Sequence, residues 1–237
     1  SPYNARNHEY YSEDAVLTSG QAVAFISGGK EYGVIIAPKH LAFNDTEINR
    51  TGVSVFMTEQ QARENELRGT QAAIEDAGAL GVMTAFNRVG ITAANAHTGL
   101  LKNILRGEWG FKGLESQDFI MNPNYAVLKE YALNGGTMTT FTGENTMAAV
   151  SEKFAYWTTE NVGQDTELMS AIKQAMTWQA YALANSNAMD GMASNTKLVS
   201  VRTWYDNALT AVQIVFAALT VLAAAMYVLD ERKSKKQ

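Results

Sequence analysis

The sequence predicts an α/β fold built on a parallel sheet, followed by a single transmembrane helix. Two patterns predict it. Between residues 34 and 185, short apolar runs alternate with longer stretches of helical spacing, the order that gives parallel strands joined by right-handed crossovers. Further on, Ala208 to Leu229 reads ALTAVQIVFAALTVLAAAMYVL without a charge, a proline or a glycine. That run reaches the roughly 20 apolar residues a helix needs to cross a bilayer.

Taken in order, Ser1 to Asp14 is polar and aromatic, with no basic start and no apolar core of a signal peptide. The expectation is that further chain precedes Ser1 and that these residues belong to something longer. Val34-Ile35-Ile36-Ala37 reads as a first strand, apolar enough to be covered on both faces. Thr58 to Asp76 reads as a helix opened by Thr58-x-x-Gln61, a capping-box pattern. Gly81 to Phe86 is a second strand and Thr98 to Arg106 an amphipathic helix closed by Trp109-Gly110-Phe111. Gly113 to Phe119 is a more polar strand, Asn124 to Leu133 a helix entered after Pro123, and Gly136 to Phe141 another strand. Asp165 to Asn185 is the longest helix, with Leu168, Ile172, Met176 and Leu183 near one face. Only four or five βα units can be counted, fewer than a closed eight-unit barrel of about 250 residues requires. Asn187 to Asp206 turns polar and rich in Ser and Asn, as a connector would.

Composition narrows the function classes. The chain has 237 residues, 46% hydrophobic, with no cysteine. A disulfide scaffold, a zinc–cysteine site and a cysteine nucleophile are excluded. A net charge of −5 argues against a nucleic-acid partner, since neutralising phosphates requires a basic surface. The tail Asp230 to Gln237 holds four basic and two acidic residues, so the remaining 15 basic and 22 acidic side chains leave 1–229 at −7. Trp204 and Tyr205 stand where amphipathic rings favour the headgroup region, and the basic tail keeps its end in the cytoplasm. The predicted location is therefore the cell membrane, single-pass, with the globular part outside.

In parallel α/β proteins the functional groups gather beyond the carboxyl ends of the strands. Those positions hold Lys39-His40, Phe86-Asn87-Arg88 and Gln117-Asp118-Phe119. A cation, an imidazole, an amide, a carboxylate and two rings facing one opening suit a sugar, whose hydroxyls need donors and acceptors and whose C–H faces pack on rings. An aspartate there can attack an anomeric carbon if a second carboxylic acid protonates the leaving oxygen.

Several longer motifs sharpen this. Lys39-His40-Leu-Ala-Phe-Asn-Asp-Thr-Glu-Ile-Asn49-Arg50 resembles the KHFAxNxxExxR segment of family 3 glycoside hydrolases, and Val82-Met-Thr-Ala-Phe-Asn87-Arg-Val-Gly90 resembles their VMxSYNxxNG strand. Leu101 to Gly113 is similar to LLxxxLRxEWGFxG and leads into Ser116-Gln-Asp118-Phe119, where the family has SDW. Upstream, Ala5 to Asp14 is similar to GRNxEYxSEDP. The similarity spans about residues 3–191.

The resemblance implies a β-glucosidase-like fold and activity: a partial (β/α)8 TIM-type barrel over 1–186, a connector over 187–207, the transmembrane helix over 208–229 and a basic cytoplasmic tail over 230–237. It implies a β-linked saccharide or glycoside as substrate and no cofactor. Asp118 takes the place of the nucleophile that forms a covalent glycosyl-enzyme. Lys39, His40 and Arg6 match groups that hold hydroxyls of the sugar beside the cleaved bond, while Phe86 and Phe119 stand where Tyr and Trp usually lie. Lys and Arg near Asp118 are expected to favour its charged form. The remaining barrel strands and the domain supplying the acid/base glutamate are expected upstream. The residues also depart from the family: Gln117 replaces a Ser, Phe86 lacks a hydroxyl, Ala5 replaces a Gly and Met138 replaces an Asp. The alternative reading is a membrane-tethered relative that binds or scaffolds carbohydrate without turnover.

Other side chains read as structural. His8, His40 and His97 lack metal-ligand spacing. Asp45 and Glu47 read as solvated or structural, Glu108 as a scaffold residue, and Trp157, Trp178 and Tyr181 as packing. Asn44 and Asn49 head glycosylation-type triplets that also arise by chance.

Overall fold

The computed structural model describes residues 6–50, 52–119, 127–140, 155, 157–192, 195–197 and 199–234. The chain divides into two units, Ser1–Asp190 and Gly191–Gln237.

In the first unit, helix α1 (Ala15–Glu31) is capped by Asp14, whose Oδ1 accepts from the Leu17 N–H at 2.7 Å. The sequence pattern missed this helix: three glycines (Gly20, Gly28, Gly29) weaken its propensity and its apolar face is narrow, burying only Ala22 and Ile26. Strand β1 (Lys39–Leu41) follows. The run 34–37, expected as a strand, is not one. It lies ahead of β1, with Ile36 Cδ1 occupying the space a Cβ on Gly29 would need and the Ala37 Cβ 2.9 Å from where a Cβ on Gly81 would stand.

The expected helix at 58–76 forms as α2 (Glu59–Gln61), a wider π-type turn (Ala62–Glu66) and α3 (Arg68–Glu75). Thr58 caps it, its hydroxyl accepting from Gln61 N–H at 3.2 Å. α3 packs against α1, close enough that a Cβ on Gly69 would meet Thr18 Cγ2 at 2.6 Å.

Strand β3 (Gly81–Thr84) lies parallel to β1, and β6 (Leu114–Gln117) lies parallel to β3, giving the order β1-β3-β6. Ser116 bridges in parallel to Met138, the described remnant of the expected strand at 136–141; Phe141 lies outside the described residues. A small second sheet, absent from the sequence reading, joins β2 (Ser54–Val55) to β4 (Arg88–Val89) and β5 (Thr92–Ala93). Its hairpin turns at Gly90, whose φ of 59° favours glycine.

Crossovers between parallel strands are helical, as expected: a π-type helix Gly99–Glu108 between β3 and β6, then α4 (Leu128–Leu133) after β6. The 124–126 part of the expected helix at 124–133 lies outside the described residues. α5 (Thr159–Gln164) and α6 (Thr166–Ala184) close the unit, α6 capped by Asp165. Leu41, Val82, Ala85, Leu101, Leu105, Phe111 and Tyr131 share one buried core between sheet and helices. Fully burying Leu101 and Leu105 contributes about 1.5–3 kcal/mol each.

Arg106 pins this layer. Its guanidinium donates to Gly135 O (2.7 Å), Phe111 O (3.0 Å) and Gly113 O (2.9 Å), and lies 3.8 Å from the ring centre of Trp178 on α6. Trp178 is thus packing, as read from the sequence, and Glu108, read as a scaffold residue, holds Arg63 at the surface through two hydrogen bonds at 2.6 and 2.9 Å.

The second unit holds one long helix, α7 (Trp204–Ser234). Thr203 and Asp206 cap it reciprocally: Thr203 N–H and Oγ1–H donate to Asp206 Oδ2 at 2.9 and 2.6 Å. Its stretch Trp204–Leu229 is long and apolar enough to cross a membrane, rising about 39 Å at 1.5 Å per residue.

Candidate active site

The site forms where β1, β3 and β6 end. Asp118 follows β6 directly, its N–H donating to Thr84 O at 2.9 Å, so the ladder carries it to the rim. His40 sits within β1, and its Nε2 lies 3.3 Å from Asp118 Oδ2. Both side chains are withdrawn from solvent, at 2% and 8% exposure. The other carboxylate oxygen, Oδ1, accepts from the Phe119 N–H at 2.8 Å. The Phe119 ring itself is half exposed.

Charged groups surround this pair. Arg6 donates to Glu9 through Nε and Nη2 at 2.7 and 2.6 Å, and Lys39 Nζ donates to Glu9 Oε2 at 2.8 Å. Glu47 stands 3.5 Å from Arg6 and 2.6 Å from Arg50. The Arg50 guanidinium lies 4.4 Å from the centre of the Phe86 ring. Two carboxylates, Glu9 and Glu47, therefore hold three cations around the mouth. All six sequence-predicted residues, Arg6, Lys39, His40, Phe86, Asp118 and Phe119, are in this network or adjoin it.

One electrostatic expectation is corrected. Lys39 and Arg6 were expected to favour the charged form of Asp118. They do pull in that direction, with Arg50, but burial outweighs them and raises the Asp118 carboxyl above its ordinary value. Arg6 and Lys39 spend their hydrogen bonds on Glu9, whose carboxyl is held far below the usual range by them. Burial, reinforced by Arg6 and Lys39, lowers His40 to about 4, so its ring is neutral at ordinary pH.

Sequence reasoning missed three residues. Glu9 and Arg50 lie inside quoted motifs, and their charge beside Arg6 and Glu47 was the available signal. Tyr10 is the third: its hydroxyl lies 3.5 Å from His40 Nδ1 and 3.3 Å from Asn44 O. Glu47, read as solvated or structural, is part of the ion network.

The departures from the family motifs have local partners. Gln117 is buried and its Oε1 accepts from Asn95 Nδ2 at 2.5 Å. Met138 contributes its carbonyl, which accepts from Gln117 N–H at 3.2 Å and Tyr131 O–H at 2.8 Å. Asn44 is buried, whereas Asn49 is exposed at a turn with φ 53°. His8 pairs with Glu9 at 3.7 Å and His97 Nδ1 accepts from Leu100 N–H at 3.1 Å. Among the described residues no three His, Cys, Asp or Glu side chains are placed to share a metal ion.

A cleft of about 640 Å³ opens beside β1, lined by Glu9, Tyr10, Phe25, Lys39, His40 and Glu66 among others. Asp118 does not line it, so the space that matters for the carboxylate is the rim and not this cleft.

The model of the glycosyl hydrolase family 3 N-terminal domain matches residues 1–137. The chain belongs to that family. Beta-glucosidase B of Emericella nidulans is 41% identical over 118 residues, which is 50% of this chain and 14% of that protein. Beta-glucosidase 3B from Thermotoga neapolitana, solved in complex with alpha-D-glucose, superposes with a TM-score of 0.68 at 26% identity, covering 79% of this chain and 26% of that one. A beta-glucosidase from Paenibacillus barengoltzii gives 0.70 at 26% identity, over 85% of this chain and 22% of its own. The family 3 chain thus spans about one seventh of the length of the curated relative it matches.

Proposed function

We propose that this chain carries the nucleophile side of a retaining β-glycosidase acting on β-glucoside-like substrates. Asp118 attacks the anomeric carbon, a bond forms from its carboxylate oxygen to that carbon, and the glycosidic C–O bond breaks. The leaving oxygen takes its proton from a carboxylic acid roughly 5–5.5 Å away, as retaining enzymes require. Water then hydrolyses the glycosyl-enzyme and regenerates Asp118. The acid, together with further barrel strands, comes from outside these residues; the 14% coverage of Beta-glucosidase B supports this.

The observation that carries the reading is the buried His40–Asp118 contact at 3.3 Å, ringed by Arg6, Lys39 and Arg50. Arg6 and Lys39 bind the hydroxyls of the sugar, His40 stands against the attacking carboxylate, and Phe86 and Phe119 offer the sugar ring surface. The proposed protein is tethered by residues 208–229, with 1–186 outside the cell, 187–207 as connector and 230–237 in the cytoplasm. The length and apolarity of α7 and the basic tail support that orientation.

The competing reading, binding without turnover, draws on one observation: Phe86 has no hydroxyl to offer the carboxylate. Hydrolysis of a chromogenic β-glucoside by the protein carrying this chain decides between them. Turnover abolished by Asp118→Ala supports the enzyme; binding of the glucoside with no turnover in the unsubstituted protein supports the other.

A further inference from the structure

We propose that Tyr10 is a positioning residue that donates its hydroxyl proton to His40 Nδ1 and so fixes the imidazole as an Nε2–H donor to Asp118. The link to catalysis rests on the function proposed above; the proton arrangement does not.

His40 is 2% exposed at its side chain, so bulk water cannot satisfy its ring nitrogens. Nε2 faces Asp118 Oδ2 at 3.3 Å and Nδ1 faces the Tyr10 hydroxyl at 3.5 Å. A neutral imidazole has one N–H and one lone pair, and which nitrogen holds the proton follows from its partners. An ionised carboxylate can only accept, so beside it the proton belongs on Nε2. Nδ1 is then an acceptor, and a buried acceptor left unmet is destabilising. Tyr10 supplies the donor.

The hydroxyl has one proton and a second acceptor in reach, Asn44 O at 3.3 Å. If it turned there, Tyr10 could only accept from Nδ1–H, and Nε2 would present a bare lone pair to the Asp118 carboxylate. That arrangement sets lone pair against negative charge, so ionised Asp118 selects the Tyr10-to-Nδ1 bond. Tyr10 directly follows the short helix Asn7–Glu9, which brings Glu9 to Arg6 and Lys39; the segment that orders the cations also delivers this hydroxyl. The nucleophile is thereby faced on both oxygens, by the Phe119 N–H that donates to Oδ1 at 2.8 Å and by His40 Nε2 at 3.3 Å from Oδ2.

The test is ¹⁵N NMR of the histidine rings in the full chain in detergent micelles, with His40 assigned through His40→Gln among the three histidines. At neutral pH the expected result is His40 protonated on Nε2, with Nδ1 shifted upfield by an accepted hydrogen bond. Tyr10→Phe should move Nδ1 to the position of a free ring nitrogen and slow covalent labelling of Asp118 by a 2-deoxy-2-fluoroglycoside about tenfold. A His40 protonated on Nδ1 in the unsubstituted chain overturns the inference without recourse to any variant. An Nδ1 signal unmoved by Tyr10→Phe overturns it as well. If the unsubstituted protein takes no label while both NMR results hold, it is the proposed reaction that fails and not the role of Tyr10.

Discussion

The Arg50 guanidinium stands 4.4 Å from the centre of the Phe86 ring while its Nη1 holds Glu47 at 2.6 Å. The position where the family's pattern has a tyrosine is thus used here by its face and not by a hydroxyl. Arg50 is the foremost of the three cations that oppose the burial-driven rise of the Asp118 carboxyl, ahead of Arg6 and Lys39.

Loosening Arg50 should therefore raise that carboxyl further. Phe86→Leu removes a cation–ring attraction of about 0.5–2 kcal/mol and should shift the Asp118 titration upward, read by ¹³C carboxyl NMR. Phe86→Tyr keeps the ring and should cause no such rise, since a hydroxyl offered to the carboxylate pulls the other way. An unchanged titration in Phe86→Leu would show that the ring does not position Arg50.

Glu115 is the buried charge most exposed to pH. It is 0% accessible, its Oε1 accepts from Thr84 Oγ1 at 2.7 Å, and Oε2 has no hydrogen-bond partner among the described residues. Burial pushes its carboxyl up to about 7. The folded state holds the proton more tightly than the unfolded state, so stability is lost as pH rises from about 4.5 through about 7. Glu115→Gln should match the unsubstituted protein below pH 4 and be more stable at pH 8 by about 3 kcal/mol. Thermal melts across pH check this; a destabilised variant at pH 8 would contradict it.

Arg106 should be the most costly single loss in the helical layer. Arg106→Ala strips the donors from three backbone carbonyls and the stacking partner of Trp178. At about 1–3 kcal/mol for each unmet acceptor, unfolding should be easier by 3 kcal/mol or more. Arg106→Lys should recover only part, because an ammonium cannot reproduce the planar fork. Denaturant unfolding measures both.

The tether is tested without truncation. An aspartate at the centre of a membrane helix costs about 2.5–3.5 kcal/mol on insertion scales. The double substitution Ala217→Asp and Ala218→Asp should move the protein from the membrane pellet to the carbonate-extracted fraction. Retention in the pellet would show that α7 is not what holds it.

Much of this was legible in the sequence for a physical reason. Caps are local, so Thr58 and its helix could be read directly, and so could the long helix behind Asp165. The meeting of His40 with Asp118 followed from strand ends sharing one rim. Two kinds of feature were not legible. An apolar run such as 34–37 suggests a covered strand, but Val34 and Ala37 are exposed, Ile35 and Ile36 are only half-buried, and contacts at Gly29 and Gly81 take the place of a ladder. Helix α1 was hidden because its glycines blur the pattern, although Asp14 before Ala-Val-Leu offered a cap. The Glu9–Lys39 ion pair joins residues 30 apart, and no local spacing encodes it.

The central claim is that Asp118 is the attacking carboxylate. Incubation of the protein carrying this chain with a 2,4-dinitrophenyl 2-deoxy-2-fluoro-β-glucoside, followed by peptide mass mapping, tests it most directly. One fluoroglucosyl group on the peptide containing Asp118, lost in Asp118→Ala, is the predicted result. A label on any other residue, or steady turnover of β-glucosides by Asp118→Ala, would contradict it.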